Sequence, residues 1–494
     1  MMALYILENR FLHPFNFLNR YAGYRAPMNV HIAPAMWCLF IGCLVLSFAL
    51  ALVIPASFFN RCHARFMRIK RARFAFAAAA LAFLSATLVN FLVYENIPKN
   101  LDEIGYLFQA HNLAAGKLYS QAPLEGFHGF MNIVTDNEGK IYGAHFPGTS
   151  LVQVPGVLLG QPWVTGPFLG ALGILILYAL VHRIYGESLA RYTVLFALVS
   201  PFYIFMNGTF MSHPVTAFFT LLFCYFFYSM VMERRKPAAF LCGLFFALLL
   251  VTRPLTCMMV TLPFLLYLLV QCVRQRASLL PALVTFLLPV VMILGLFAGY
   301  VKVLTGDPLV LPTSIQNPAF SPGFGDQKGI PVRQGKRAPF YPSHGINQML
   351  SKTVMLGVDL YGWGGFSLIF IPFVLAAPGR NRWDLIFLLA VLLITLNFFF
   401  LPVKGMIYGP RTFFAAVPFL FILTVRGMQG LAAILSRIRG EGAGGKIYVY
   451  CIHALAIFVF LCTLRSMVEY IPMKVEKYIH IHPRFLLDFD NIEF

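Results

Sequence analysis

The 494-residue chain is 59% hydrophobic, 16% aromatic and only 12% charged, with a mean hydropathy of +0.75. That much apolar surface does not fit inside a water-soluble core, so composition excludes an ordinary soluble domain and points to an all-α polytopic membrane protein. The net charge of +19 comes from Lys and Arg clusters set between apolar runs, a pattern that orients membrane spans and excludes nucleic acid as a partner.

Residues 1–30 mix Leu, Phe and Tyr with Arg10, Arg20 and Arg25, which reads as an interfacial helix or tail without the apolar region of a cleavable signal. Apolar runs long enough to span then follow near 35–55, 73–94, 164–182, 188–206, 213–232, 237–251, 255–273, 279–301, 354–377, 383–402, 411–430 and 447–468. They predict about twelve transmembrane helices. The nine cysteines show no spacing that suggests a disulfide framework or zinc site.

Basic residues assign the sides. Arg61, Arg65, Arg68, Lys70, Arg71 and Arg73 follow the first span, and short cytoplasmic loops are enriched in such residues. Alternation then places Arg183 and Arg191, Arg234 to Lys236, Arg274 and Arg276, Arg380 and Arg382, and Arg437, Arg439 and Lys446 on that same side. Both termini and the long connections 95–163 and 302–353 fall outside.

Within the first connection, residues 99–118 read as an amphipathic helix along the membrane surface, with Leu101, Ile104, Leu107, Phe108 and Leu113 on its apolar face. Thr135 to Lys140 has hairpin turn chemistry between Met131–Val134 and Ile141–Gly143. The piece 150–160 is too short to span and returns along the interface. The second connection carries Lys302, Lys328, Arg333, Lys336 and Arg337, against the positive-inside trend. It reads either as a loop that tolerates charge or as a cover for an anionic lipid-linked substrate.

On this topology, polar groups gather at the outer span ends: Asp102 and Glu103, His145, Ser212 and His213, Thr252 and Arg253, Asp359, Lys404, Tyr408 and Arg411. A carboxylate base with nearby cations suits sugar transfer from a polyprenyl phosphate, the base taking an acceptor proton and the cations holding the departing phosphate. Plainer readings exist for each. Arg253 and Arg411 also fit snorkelling to headgroups, His145 and His213 fit structural hydrogen bonding, Asp359 fits a helix cap, and Asp102 and Glu103 fit a helix dipole.

The chain resembles the GT-C superfamily of membrane glycosyltransferases, in particular the dolichyl-phosphate-mannose protein mannosyltransferases and aminoarabinose lipid A transferases. The likeness rests on Asp102-Glu103 with Tyr106, then His145-Phe-Pro-Gly-Thr149, Arg183-Ile-Tyr-Gly186, Ser200-Pro-Phe-Tyr203, Met211-Ser-His-Pro214, Arg234-Arg-Lys236, Leu250-Val-Thr-Arg-Pro254 and Tyr408-Gly-Pro-Arg411, in that order. It covers roughly residues 75–430, leaving the first span outside a shared core. Ser212-His213 and Phe146-Pro147 depart from the family pattern, where an acidic residue and Pro-Pro are common.

The resemblance implies a GT-C-like bundle with an external loop domain, working as a hexosyl or pentosyl transferase by inverting displacement. Asp102, or else Glu103, is then the catalytic base. Arg253, Arg411 and Lys404 hold the donor phosphate, and Tyr106, His145, His213, Tyr408 and Asp359 line the substrate pocket. The implied partners are a polyprenyl-phosphate sugar donor, a lipid, glycan or protein acceptor, and membrane lipid. No cofactor is certain, and a divalent cation stays open without a clear ligand set to support it. The nearest nucleotide-sugar feature is Asp488-Phe-Asp490 in the tail.

The expected organisation is an N-terminal segment with an extra helix (1–72), a catalytic core (73–430) and a last helix with an external tail (431–494). The expected place is a bacterial inner membrane with the site facing the periplasm. The rival readings are an O-antigen polymerase or ligase, which lacks the early carboxylate pair as its defining feature, and a transporter or flippase, which calls for internal repeats and midplane charges.

Overall fold

The computed structural model describes residues 32–121, 133–135, 139–274, 276–316, 322–326, 328–329, 338–402, 408–437 and 443–479. The interfacial segment 1–30, Lys404, the loop cations Arg333, Lys336 and Arg337, and Asp488-Phe-Asp490 lie outside the described residues.

The first helices are α1 (Ile32–Val53), α2 (Ala56–Arg68) and α3 (Arg71–Leu92). Pro55 separates α1 from α2, whose Arg61, Arg65 and Arg68 are exposed, so the first basic loop is itself largely helical. Next come α4 (Leu101–Ala114), the strands β1 (Ser120–Gln121), β2 (Ile133–Thr135) and β3 (Lys140–Gly143), and α5 (Gly148–Leu158). The expected hairpin is present. β2 pairs antiparallel with β3, Val134 opposite Tyr142, and β1 takes the other edge of β3.

The bundle continues through α6 (Thr165–Tyr185), α7 (Glu187–Leu198), α8 (Pro201–Asn207), α9 (Ser212–Val231), α10 (Lys236–Leu250), α11 (Pro254–Arg274) and α12 (Arg276–Thr305). After α13 (Pro312–Gln316) and α14 (Pro342–Asp359) come α15 (Arg382–Phe400), α16 (Val417–Ser436), α17 (Ala443–Arg465) and α18 (Ile471–Ile479). Helices α1 and α17 pack on each other.

Among the described residues, eight helices are long and apolar enough to cross a membrane, or ten if two bent pairs each count as one span. The chain is thus an all-α, multi-pass integral membrane protein. The remaining predicted runs differ for local reasons. Pro237–Leu250 is apolar but short, at 1.5 Å per residue covering roughly 21 Å. The run 354–377 is not a continuous helix: α14 ends at Asp359, and Gly362, Gly364 and Gly365, all at positive φ, turn the chain before a short 3-10 helix, Ile371–Ala376. The run 188–206 is helical but bends by 66° between α7 and α8, because Pro201 has no N–H to continue the ladder and instead opens a new helix behind an extended Ser200.

One end of the bundle is tied together through its basic loops. Arg191 donates to the carbonyls of Phe66 and Ile69, and Glu187 lies 3.2 Å from Arg71. Arg183 meets Glu233 at 3.4 Å, and Tyr185 donates to Asp384, which Arg426 also grips. These contacts bring the loops 61–73, 183–191, 233–235 and 380–384 to a common end. The candidate site lies elsewhere, where α4, the hairpin and α5 close over the first turns of α9 and α11. Leu280, Val284, Leu288 and Val291 of α12 are exposed, as a lipid-facing surface requires.

Candidate active site

Helix α4 carries the carboxylate pair. Asn100 caps it in an extended conformation, its side chain accepting from the Asp102 amide, so Asp102 and Glu103 occupy the first turn at the positive end of the helix dipole. The face buried in the protein is the one opposite the expected apolar, membrane-facing stripe. Glu103, Gly105, Tyr106, Gln109, Ala110 and Asn112 are buried, whereas Leu101, Ile104, Leu107, Phe108 and Leu113 are half-buried. The polar residues turn inward because backbone and side-chain groups await them. Gln109 donates to the Leu118 carbonyl and accepts from the Gly143 amide, Ser120 donates to Asn112, and Ser150 of α5 donates to the Tyr106 carbonyl. These bonds fix α4 on the hairpin and on α5.

Asp102 is the best-placed carboxylate. Its Oδ2 lies 2.9 Å from Arg411 Nη2 and its Oδ1 3.6 Å from His145 Nε2, with 24% of the side chain exposed. Burial alone would raise its pKa. Arg411 foremost, then His145 and Arg253, outweigh burial and hold the carboxyl well below the usual carboxylate range. His145 packs its ring against Tyr106, centroids 4.6 Å apart.

Arg253 sits in the break between α10 and α11, and the α5 entry docks there through a Gly148 amide to Val251 carbonyl bond of 3.0 Å. Its Nη1 donates to Ser212 Oγ at 2.9 Å, and Tyr106 donates to the same hydroxyl at 3.1 Å. Next to Ser212, His213 is 2% exposed, and neither ring nitrogen has a hydrogen-bond partner among the described residues. Arg253, Arg411 and Asp102 all lie within its electrostatic reach.

Glu103 faces inward. It is 1% exposed, accepting from the Lys99 amide at 2.7 Å and the Tyr408 hydroxyl at 3.2 Å, while its Oε1 has no partner among the described residues. Burial is the largest influence on it and pushes the carboxyl up to about 7. Asp359 is placed apart from Asp102. It ends α14 and does not begin a helix, which removes the capping reading, and it pairs with Lys474 Nζ at 3.0 Å and with the Tyr470 hydroxyl.

The structure therefore brings Asp102, His145, Arg411, Arg253, Tyr106 and His213 to one region, sets Glu103 with Tyr408 behind it, and turns Asp359 toward α18. Two basic residues were missed in the sequence. Lys352 of α14 is 4% exposed, and burial, with the Arg411 charge second, pulls its ammonium down to about 8. The signal for Lys352 was a lone cation in an otherwise weakly charged stretch, whereas Lys474 lies in a tail segment without a motif, among Glu469, Glu476 and Lys477. Among the described residues no group of three or more His, Cys, Asp or Glu side chains is placed to hold a metal ion.

A stretch from α6 into α12, residues 166–295, matches the family model described as dolichyl-phosphate-mannose-protein mannosyltransferase. The fold is similar to that of ArnT from Cupriavidus metallidurans bound to undecaprenyl phosphate, with a TM-score of 0.50, 17% identity, and coverage of 84% of this chain and 74% of that one. This likeness is one of fold. An Archaeoglobus fulgidus oligosaccharyltransferase tethered with an acceptor peptide is also similar, at a TM-score of 0.46 and 11% identity over 80% of this chain and 55% of that one. Comparison with curated protein sequences gives no match. The stretch matched by the family model holds Ser212, His213 and Arg253, whereas Asp102, His145 and Arg411 lie outside it.

Proposed function

We propose that this protein is a membrane glycosyltransferase that moves a sugar from a polyprenyl-phosphate donor to an acceptor hydroxyl, with Asp102 as base. The observation that carries the reading is the meeting of a partly exposed carboxylate, Asp102, with Arg411 at 2.9 Å and His145 at 3.6 Å beside the Arg253–Ser212 pair. The solved relative with undecaprenyl phosphate bound supports this donor class.

In the proposed reaction the acceptor oxygen attacks the anomeric carbon as the bond from that carbon to the phosphate oxygen breaks, inverting the centre. The acceptor proton passes to Asp102, and the lipid phosphate leaves with its electron pair toward Arg253 and Arg411. Arg411 keeps Asp102 ionised and, for the same reason, weakly basic. Donor phosphate that draws Arg411 toward itself loosens this hold and makes the carboxylate a stronger base when the reacting groups are in place. His213, both of whose nitrogens are unpaired among the described residues, offers the phosphate a neutral hydrogen bond beside these cations. The proposed setting is a bacterial inner membrane with the site on the periplasmic side, opposite the basic loops.

The test is release of lipid phosphate from a panel of undecaprenyl-phosphate sugars by protein in lipid, comparing wild type with Asp102→Asn and Arg253→Ala. The expected result is turnover by wild type, loss in Asp102→Asn with donor binding retained, and weakened donor binding in Arg253→Ala. Full activity in Asp102→Asn would remove it as the base.

A further inference from the structure

The turn that delivers Arg411 to Asp102 rests on a buried ion pair belonging to the last helix. Tyr408 and Gly409 both have positive φ, +66° and +80°, and the Arg411 amide donates to the Gly409 carbonyl at 2.8 Å. Gly409 lies so close to Asp359 that a Cβ built on it would fall 2.0 Å from Asp359 Oδ2. The Asp359 carboxylate thus sits against the backbone two residues ahead of Arg411. Its other oxygen is held by Lys474 Nζ at 3.0 Å and by the Tyr470 hydroxyl. Lys474 is 4% exposed, and the rings of Phe202, Phe205, Tyr470 and Tyr478 surround its ammonium at 5.5 to 5.9 Å.

Two carboxylates, Asp102 and Asp359, therefore flank the turn that carries one guanidinium. A buried carboxylate deprived of its partner is costly and is drawn to the nearest cation. We propose that Lys474 is a positioning residue: by committing Asp359 to the last helix, it leaves Arg411 for Asp102 and the donor phosphate. The aromatic box keeps Lys474 in place, and the bent turn through Gly409 keeps Asp359 and Arg411 apart. The inference rests on the transferase reading and adds that α18, near the end of the chain, takes part in setting the site.

The experiment compares Lys474→Met, Lys474→Arg and the neutral double variant Asp359→Asn/Lys474→Met with wild type, in lipid. Three quantities are read: sugar transfer per folded protein, affinity for undecaprenyl phosphate, and hydrogen exchange in residues 408–416. Lys474→Met should lower both transfer and affinity about tenfold or more and speed exchange in the turn. Lys474→Arg should retain most of both, and adding Asp359→Asn to Lys474→Met should recover most of the loss, because no stray carboxylate remains. A pair with only a structural role would lower yield and Tm, without recovery of kinetics in the double variant. That outcome, or wild-type behaviour of Lys474→Met, overturns the proposal. If Lys474→Met does not fold, the double variant decides alone, a tenfold loss in it counting against. Should wild type transfer no sugar, the transferase reading falls, while the exchange pattern still decides the role of Lys474.

Discussion

Asp102 Oδ2 and Arg411 Nη2 lie 2.9 Å apart although 309 positions separate the two residues. The contact joins α4 to the turn before α16 and is the strongest influence holding the carboxyl below the usual carboxylate range. Removing the guanidinium should let the Asp102 pKa rise, since Arg411 is the strongest influence lowering it. Arg411→Ala is expected to cut transfer about 100-fold or more and to move the acid limb of the pH–rate profile to higher pH. Arg411→Lys should keep part of both effects. Profiles of kcat/KM between pH 4 and 8 check this, and an unmoved acid limb would argue against Asp102 as the titrating base.

Glu103 gives a stability prediction of the opposite sign. Burial raises its carboxyl from an ordinary 4.5 to about 7, so folding favours its protonated form. Its contribution is fully present below pH 4.5 and is lost as pH rises through 7. Glu103→Gln keeps an oxygen for the Lys99 amide and Tyr408 while removing the charge. It should flatten this part of the pH dependence and stabilise the protein at pH 8 by roughly 3 kcal/mol at most. Thermal unfolding of both proteins at pH 5 and pH 8 tests it.

Far from the site, Arg426 grips Asp384 through two nitrogens, each 2.9 Å from a carboxylate oxygen, with the Asp384 side chain 1% exposed. Asp384→Ala leaves a buried guanidinium without its anion and should cost about 3–5 kcal/mol. Transfer per folded protein should stay near wild type. Denaturation midpoints paired with activity normalised to folded protein separate these two effects.

Gly409 has φ +80° and abuts Asp359. Gly409→Ala adds backbone strain of about 1–3 kcal/mol and a methyl group where the carboxylate sits. The turn must shift, carrying Arg411 with it, so transfer should fall by about tenfold or more. Wild-type transfer with only a lowered Tm would show that the turn tolerates the shift.

Much of the architecture was legible in the chain. Long apolar runs have one way to satisfy their backbone in lipid, as helices, and clustered Arg and Lys mark a common end. The hairpin was readable from turn chemistry at Thr135 to Lys140. Continuity was not, at two places. Ser200-Pro201 and the glycines 362–365 lie inside runs whose average hydropathy masks the break, and hydropathy has no term for the missing N–H or the positive φ.

The sequence by itself determined the solvent of this protein, the number of its apolar runs and the types of residue available for chemistry, because composition and charge spacing act through local physics. Which face of α4 points inward was decided only by the tertiary structure. Glu103, Gln109 and Asn112 are buried because Tyr408, the Gly143 and Leu118 backbone and Ser120 satisfy them, partners that no helical period encodes. The same holds for Arg411 at Asp102 and Lys474 at Asp359: an ion pair between distant residues exists only where folding holds both ends of it still.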